Sequence, residues 1–286
     1  MTSWDTLGRP RQQILQLFTV VQALRGQQVA RLTARSYRLA MYHLERLDRM
    51  ALVDGVATAR GKVWCASPPG LRLLTKLVGR PVTGLTSAKL AAHAAQVSEF
   101  LVRALEEQRG HEALSGVGYQ IETGLRPGLR CDALVRVGWS QAAHSAAPDG
   151  SPLDRLWGPG PAGRPPTERE LVLALEVDRG TMPLVRLARK AELYALYYAE
   201  RWRWQQNYGA FPLPIVVTTG PVRAGAIWLR WRQAFWGAAD WAVSCWEWLE
   251  RGILYGRWLN ADGSVAGLLE LPVPVPGTSA PDPAGQ

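Results

Sequence analysis

The stretch that decides the fold is Glu170–Tyr198, with the sequence ELVLALEVDRGTMPLVRLARKAELYALYY. Its apolar run Leu171–Leu175 predicts a buried strand, because strands covered on both faces are continuously hydrophobic. Two carboxylates follow this run, and the two-residue period of a strand places Glu176 and Asp178 on the same face. The stretch therefore predicts a strand that delivers paired acids to its end.

A helix is predicted directly after this strand. Gly180 interrupts the extended chain, Thr181 is a candidate helix cap, and Pro183 suits the first helical turn. The helix then carries Lys190 on one side and an apolar stripe on another. Paired acids beside a lysine are typical of a site for a hard divalent cation and a phosphate.

Length and composition restrict the class of protein. A chain of 286 residues has room for two domains of about 150 residues each. Hydrophobic residues make up 47% of it and charged residues 20%, which indicates a globular protein. The N-terminus lacks the features of a secretory signal, and no apolar run reaches the roughly 18 residues that a membrane helix needs. We therefore expect no membrane association.

The cysteines point to a reducing compartment. Cys65, Cys131 and Cys245 are odd in number and far apart in the chain. This spacing argues against a disulfide framework and against a cysteine-based zinc site. It suits the cytoplasm, which is where we expect the protein to act.

The net charge of +9 is unevenly distributed. Residues 1–80 contain 13 Lys/Arg against four Asp/Glu, whereas residues 81–286 contain 20 of each kind. The excess positive charge therefore belongs to the N-terminal segment. Such a segment is typical of a domain that binds a polyanion, although a merely solvated basic surface has the same composition.

The N-terminal segment predicts three short helices and a two-stranded ribbon. The helices are expected at residues 10–24, 27–32 and 36–50, and the ribbon is formed by residues 52–56 and 61–65. Three helices followed by a ribbon are the winged helix-turn-helix arrangement, whose third helix enters the major groove of DNA. A winged helix that docks another protein is the alternative interpretation.

The DNA-contact candidates of this segment are its exposed cations and one tyrosine. They are Arg35, Arg38, Tyr42 and Arg46 on or beside the third helix, and Arg60 and Lys62 in the ribbon. Phosphate contacts give affinity and only base contacts give sequence choice, so the pattern leaves open which residues read bases.

The C-terminal part predicts a small mixed sheet flanked by helices. A long helix is expected at residues 88–108 and carries Glu99, and a hairpin at 119–125 and 129–137 carries Asp132 inside an apolar strand. After an irregular loop at 138–169 and the stretch described first, a strand at 211–219 and a helix at 224–235 follow. The tryptophan-rich region 228–258 is more typical of a core than of a surface that stacks nucleobases.

The acids of this sheet form a candidate metal site. If the strand of Asp132 neighbours the strand of Glu176, the two carboxylates meet, and with Asp178 they could hold Mg²⁺. The ion would activate water, and a nearby ammonium would orient that water or neutralise the transition state. A hydrogen-bonded structural role is the alternative for Asp132.

These motifs resemble the PD-(D/E)xK nuclease superfamily and, more narrowly, the replication-relaxation family of plasmid and mobile-element proteins. The resemblance covers roughly residues 10–230, including the N-terminal segment. It is carried by the segments His93–Phe100, Leu129–Leu134, Leu175–Leu184 and Arg186–Tyr194, of which Glu-Val-Asp-Arg-Gly-Thr is the most specific run.

The resemblance implies the roles of individual residues. Asp132, Glu176 and Asp178 would hold Mg²⁺ or Mn²⁺, and Glu99 is the helix acid of the site. The usual Pro-Asp is Cys131-Asp132 here, and the usual lysine position holds Asp178, so Lys190 is the candidate replacement. Arg179 and Arg186 are the DNA-contact candidates beside these acids.

Three functions remain open at this stage. The first is a metal-dependent DNA endonuclease or nickase, the second a non-catalytic DNA-binding initiator or assembly subunit, and the third a relaxase using Tyr194, Tyr197 or Tyr198. The expected fold is α+β and multi-domain, with a winged helix at 1–80, a restriction-endonuclease-like domain at 81–271 and a disordered tail at 272–286. Double-stranded DNA is the expected partner, with a homodimer or other mobile-element proteins as further partners.

Overall fold

The computed structural model describes residues 4–85, 87–111, 114–139, 156–157, 169–235 and 239–270. The expected tail and most of the expected loop at 138–169 lie outside these residues. The chain is α+β, as predicted, and divides into two compact units. The first contains Met1–Glu112, Val117–Ile121 and His144–Pro159, and the second contains the remainder. The first unit thus extends past residue 80, where the sequence placed a domain boundary.

The first unit begins with three helices and a short strand. They are α1 (Arg9–Leu17), β1 (Leu24–Arg25), α2 (Gly26–Thr33) and α3 (Tyr37–Arg49). The predicted helix at 10–24 is wrong beyond Leu17, because Leu24 instead pairs with Trp64 in a small sheet. The β-branched residues Thr19, Val20 and Val21 are poor helix formers, which favours this early end.

The turn between α2 and α3 is closed by local hydrogen bonding. Ala34 adopts the left-handed conformation with a φ of 52°, which ends α2. The Ser36 hydroxyl accepts a hydrogen bond from the Leu39 N–H at 3.3 Å and so caps α3. On α3, Ala40, Leu44 and Leu47 are buried, which leaves the opposite side of the helix to solvent.

The predicted ribbon is confirmed. β2 (Val53–Thr58) and β3 (Gly61–Ala66) are antiparallel, and the small sheet has the order β1-β3-β2. Then come α4 (Pro68–Val78) and the long α5 (Ala91–Gly110). A side-chain carbon added at Gly70 in α4 would lie 2.0 Å from the Leu52 carbonyl oxygen, so α4 rests directly on backbone.

The remaining strands form one mixed sheet. They are β4 (Leu114–Arg126), β5 (Leu129–Trp139), β6 (Leu156–Trp157), β7 (Arg169–Val177), β8 (Leu213–Thr218), β9 (Ala242–Cys245), β10 (Trp258–Asn260) and β11 (Val265–Ala266). The order is β11-β10-β9-β8-β7-β5-β4-β6. β7, β8 and β9 are parallel, whereas β5 is antiparallel to β7, and β10 is antiparallel to β9. The mixed sheet is therefore confirmed.

Three helices accompany this sheet, namely α6 (Leu184–Ala199), α7 (Arg201–Tyr208) and α8 (Pro221–Phe235). α6 and α8 contribute aromatic side chains to one core, in which the rings of Tyr194 and Trp231 lie 5.9 Å apart. Trp231 and Trp241 also pack together, with ring centres 5.8 Å apart, so the tryptophans of this region mainly form core, as the sequence favoured. Among the described helices, none has the length and apolar character to cross a bilayer.

Candidate functional site

Two neighbouring strands bring together two of the predicted acids. β5 and β7 pair antiparallel as far as Ala133 and Leu175, and Asp132 and Glu176 are the next residues along. One Asp132 carboxylate oxygen accepts a hydrogen bond from the Val177 N–H at 2.8 Å. The condition under which the Asp132 and Glu176 carboxylates would meet, that their strands are neighbours, is therefore met.

Glu176 is buried and bound through both carboxylate oxygens. The Tyr194 hydroxyl donates to Oε1 at 2.7 Å, and the Lys190 ammonium forms an ion pair with Oε2. Burial raises the pKa of Glu176 to about 7, and the nearby Asp132 adds to this, because together they outweigh the attraction of Lys190. Burial thus favours the neutral form of this carboxyl group, whereas Lys190 and Tyr194 favour the carboxylate.

The carboxylates of Glu176 and Asp132 also shift the pKa of Lys190. Burial lowers the pKa of its ammonium, but the carboxylates of Glu176 and Asp132 raise it more, so the net shift is upward. The ammonium therefore stays charged at neutral pH. Lys190 and Tyr194 lie one helical turn apart on α6, which is why both reach one carboxylate on β7.

Asp178 organises the turn between β7 and α6. Its carboxylate accepts hydrogen bonds from the Gly180 N–H at 3.1 Å and from the Thr218 hydroxyl at 2.6 Å. The Arg223 guanidinium binds both of its oxygens, and it also donates to the Met182 carbonyl oxygen. Asp178 therefore fastens this turn to β8 and α8.

This arrangement does not form the predicted three-acid metal site. Within the described ranges, no group of three or more His, Cys, Asp or Glu side chains has a geometry that could hold a metal ion. The oxygens of Glu176 are bound by Lys190 and Tyr194, and those of Asp178 by Arg223, so cationic donors stand where a cation would bind. The residues as arranged do not fit Mg²⁺ or Mn²⁺, and a role for either ion stays a prediction.

Glu99, the predicted helix acid, belongs to the first unit and is bound there. Its carboxylate accepts hydrogen bonds from Arg31 at 2.8 Å, from Arg103 at 2.9 Å and from Gln28 at 2.9 Å. Burial raises the pKa of Glu99, but the bonds from Arg31, Arg103 and Gln28 lower it more, so the net shift is downward. Its carboxylate thus joins α5 to α2.

The predicted DNA-contact residues on and beside α3 differ in their exposure to solvent. Arg38, Tyr42 and Arg46 are exposed on one side of the helix. Arg35 is instead half-buried, and its guanidinium donates to the Gln13 side chain at 2.7 Å and to the Thr33 carbonyl oxygen at 3.1 Å. These hydrogen bonds hold the start of α3 to α1, and a contact between Arg35 and DNA stays a prediction.

The other predicted contacts lie in the ribbon and in the second unit. Arg60 is exposed at the turn of the ribbon. Lys62 lies over the Trp64 ring at 4.0 Å from its centre and 4.0 Å from an Asp48 carboxylate oxygen, so its charge is partly compensated. Arg179 and Arg186 are both exposed.

The three candidate nucleophilic tyrosines are packed. Tyr194 donates to Glu176, and its burial raises the pKa of the hydroxyl. Burial likewise raises the pKa of Tyr197, whose hydroxyl has no hydrogen-bond partner among the described residues. Tyr198 packs edge-on against Phe211 at 4.9 Å. None of the three side chains is presented to solvent as an exposed nucleophile.

Sequence reasoning missed Arg223, Tyr194 as a partner of Glu176, and Arg31. Arg223 is 45 residues from Asp178, and Arg31 is 68 residues from Glu99, so no local spacing reveals either pair. Only Tyr194 carried a local signal, because it lies one turn after Lys190 on the same side of a predicted helix.

Comparison with known proteins gives one match. A protein-family model described as replication-relaxation matches residues 15–213, which is more than half of the chain. The matched residues run from α1 to the start of β8 and include Glu99, Asp132, Glu176 and Lys190, but not Arg223. No curated protein and no solved structure matches the chain.

Proposed function

The chain belongs to the replication-relaxation family, and from this premise we propose that it binds duplex DNA in the replication or relaxation of a plasmid or mobile element. The observation that carries the proposal is the α3 face, which we define as the exposed side chains Arg38, Tyr42, Arg46 and Arg49. We assign this face to the major groove, with α2, α3 and the ribbon acting as a winged helix.

The geometry of the α3 face suits DNA. Arg38, Tyr42 and Arg46 are spaced four residues apart, so they lie along one side of the helix, opposite the buried Ala40 and Leu44. A single helix fits the major groove, where arginine binds guanine edges or phosphates through paired N–H groups. Arg60 at the ribbon turn would contact the adjacent backbone.

Charge supports the same assignment. Residues 1–80 contain 13 Lys/Arg against four Asp/Glu. An excess of this size attracts a polyanion over several ångströms and raises the association rate, especially at low salt. A winged helix that docked another protein would not need this excess, which is why DNA is the favoured partner over a protein surface.

Binding without cleavage is the form of the proposal that the second unit favours. Lys190 and Tyr194 bind Glu176, and Arg223 binds Asp178, so these acids are neutralised within the chain. The nuclease-like sheet would then serve as a scaffold for an initiator or for a subunit of a larger assembly. A homodimer or other element-encoded proteins are its proposed further partners.

A metal-dependent nickase is the second candidate, and it requires that Lys190, Tyr194 and Arg223 release the carboxylates before an ion binds. Asp132, Glu176 and Lys190 are brought together at the ends of two neighbouring strands, and two carboxylates with an ammonium are the groups that phosphodiester hydrolysis uses. Tyr194 and Tyr197 are buried and Tyr198 is partly buried against the same core, which makes a tyrosine relaxase the least favoured function.

The binding experiment is fluorescence anisotropy with a labelled random-sequence duplex. At physiological ionic strength the variant Arg38→Gln/Arg46→Gln should bind about tenfold more weakly or worse, because neither side chain can then pair its charge with a phosphate or bind a base edge. The matched control is Arg72→Gln/Lys76→Gln on α4, which removes the same charge and should bind almost as well as the parent protein. An equal loss of affinity in both double variants would overturn the assignment to the α3 face.

Incubation of supercoiled plasmid with Mg²⁺ or Mn²⁺ separates the two candidates. An intact plasmid after long incubation supports binding without cleavage. Nicking that disappears in Asp132→Asn and in Glu176→Gln, both of which keep side-chain size, establishes the nickase and overturns the non-catalytic form of the proposal.

A further inference from the structure

Residues 81–286 have no net charge, but within them the second unit contains a basic stretch. Between Arg179 and Phe235 the sequence has nine Lys/Arg and only two Asp/Glu, Glu192 and Glu200. No acid lies between Glu200 and Asp240. The stretch contains α6, α7 and α8, so the positive charge is concentrated on the helices that accompany the sheet.

α6 and α8 bury one side each and expose the other. Leu187, Ala191 and Tyr194 on α6 face the core, as do Ile227 and Trp231 on α8. The opposite sides carry aliphatic side chains that reach far into solvent. On α6 Val185 is 73% exposed, and on α8 Val222 is 91% exposed.

The cations of this stretch divide into paired and unpaired groups. Four of them are bound inside the unit, since Lys190 pairs with Glu176, Arg223 with Asp178, Arg189 with Glu192 and Arg203 with Glu200. Arg179, Arg186, Arg201 and Arg230 are exposed, and no ion pair joins them to any described residue; Arg201 is the one of these that lies on α7. Arg232 is also exposed and lies over the Trp228 ring at 5.1 Å.

We propose that three of these arginines, Arg179, Arg186 and Arg230, form a second DNA-binding surface, the α6–α8 face, which binds the phosphate backbone of duplex DNA. Arg232 is not part of it, because it lies two residues from Arg230 on α8 and so projects from another side of that helix, against Trp228. The inference rests on the proposed function for the identity of the ligand, but it concerns a different unit and different residues from the α3 face. Arginine suits this role because its planar fork binds phosphate oxygens in pairs.

The chemistry of the face favours nucleic acid over another copy of the chain. A symmetric contact of this face with itself would bring like charges together, which costs free energy. A phosphate backbone neutralises these charges and releases its own counterions. Because the face binds phosphates, its affinity is expected to be independent of DNA sequence.

The test is the salt dependence of binding to a random-sequence duplex. In the full-length protein, Arg186→Gln/Arg230→Gln should reduce the slope of log K against log salt by about two, because each arginine removed leaves one phosphate without its cation. Arg186→Lys/Arg230→Lys should retain the slope, because it keeps both charges. The matched control is Arg251→Gln/Arg257→Gln, which removes two exposed arginines of the same unit and should leave the slope unchanged.

The outcomes are distinguishable. A slope unchanged in Arg186→Gln/Arg230→Gln but reduced in Arg38→Gln/Arg46→Gln overturns the α6–α8 face and leaves the proposed function standing. No measurable affinity of the parent protein for duplex DNA defeats the proposed function, and the second binding surface with it. If Arg186→Gln/Arg230→Gln kept the slope but no longer bound poly-glutamate, the face would belong to an acidic protein instead, which also overturns the proposal.

Discussion

Glu99 in the first unit and Glu176 in the second have the same side chain and opposite electrostatics. The Glu99 side chain is 20% exposed and receives two guanidinium groups and an amide, and the net effect lowers its pKa. The Glu176 side chain is 5% exposed and receives one ammonium and one hydroxyl beside a second acid, and its pKa rises to about 7.

An ion pair alone does not set the protonation state of a glutamate in this protein. Each additional charged donor favours the carboxylate, whereas removal from water favours the neutral acid. At Glu99 the donors prevail, and at Glu176 burial prevails. Glu99 therefore favours its charged form and acts as a clamp between α2 and α5, whereas burial favours the neutral form of Glu176.

The largest loss of stability is expected when Lys190, the cation that pairs with Glu176, is removed. Lys190→Met removes the ammonium and leaves a buried carboxyl group beside Asp132. We expect a loss of about 3–5 kcal/mol in the free energy of unfolding, measured by urea denaturation at pH 8. The variant Lys190→Met/Glu176→Gln should recover much of this loss, since it removes both charges. A loss in the single variant below about 1 kcal/mol would show that burial does not dominate at Glu176.

The next effect is a pair of opposite pH dependences. Because the pKa of Glu176 in the folded protein is about 7, above its ordinary value of 4.5, its contribution to stability is present below pH 4.5 and is lost as the pH rises to 7. This loss is on the order of 3 kcal/mol, and Glu176→Gln should abolish it. Because the pKa of Glu99 is lowered, its contribution is present above pH 4.5 and is lost as the pH falls below it.

Chemical denaturation between pH 3 and pH 8 measures both dependences. The difference between the parent protein and Glu176→Gln should change mainly from pH 4.5 to 7, and the difference for Glu99→Gln mainly below pH 4.5. If the two variants gave the same pH profile, the contrast between the two glutamates would be refuted.

A smaller effect is expected at the clamp. Arg31→Met removes one guanidinium that binds both Glu99 and Glu106, but Arg103 and Gln28 still bind Glu99. The site is also partly exposed, so solvent screens the remaining charge. We expect a loss of about 1–2 kcal/mol in thermal or urea unfolding, and less in high salt. A loss as large as that of Lys190→Met would remove the distinction between the two sites.

The smallest change in stability is expected at an exposed ion pair, which serves as the reference for the other substitutions. Arg189 and Glu192 form an exposed pair on α6, and Arg189→Ala should change the free energy of unfolding by less than about 0.5 kcal/mol. A larger change in urea denaturation would mean that surface pairs of this chain are stronger than their exposure implies, and the other magnitudes would need to be rescaled.

Local patterns predicted much of the fold. α3 was predicted because Ser36 caps it and its apolar residues recur at helical spacing, and β7 because Leu171–Leu175 is continuously apolar. The early end of α1 was not predicted, because Val21 and Leu24 continue the helical spacing. Leu24 instead pairs with Trp64 in the small sheet, and Trp64 is 40 residues away in the chain.

The sequence predicted only those contacts of the candidate site that follow from the order of its strands and from the helix after β7. The meeting of Asp132 and Glu176 follows from neighbouring strands, and the proximity of Lys190 follows from the helix after the strand. The pairing of Asp178 with Arg223 and of Glu99 with Arg31 depends on how α8 and α2 pack. A charge partner that is distant in the chain leaves no periodic pattern in the sequence. Glu176 and Asp178 were therefore predicted as metal ligands and were found bound to Lys190 and Arg223.

Gly70 allows a close backbone contact in the first unit. The absence of a side chain lets the start of α4 sit on the Leu52 carbonyl, directly before the ribbon strand that begins at Val53. A methyl group at this position would clash with the Leu52 carbonyl oxygen. Gly70→Ala is therefore expected to displace α4 from the Leu52 backbone, immediately before the ribbon strand β2.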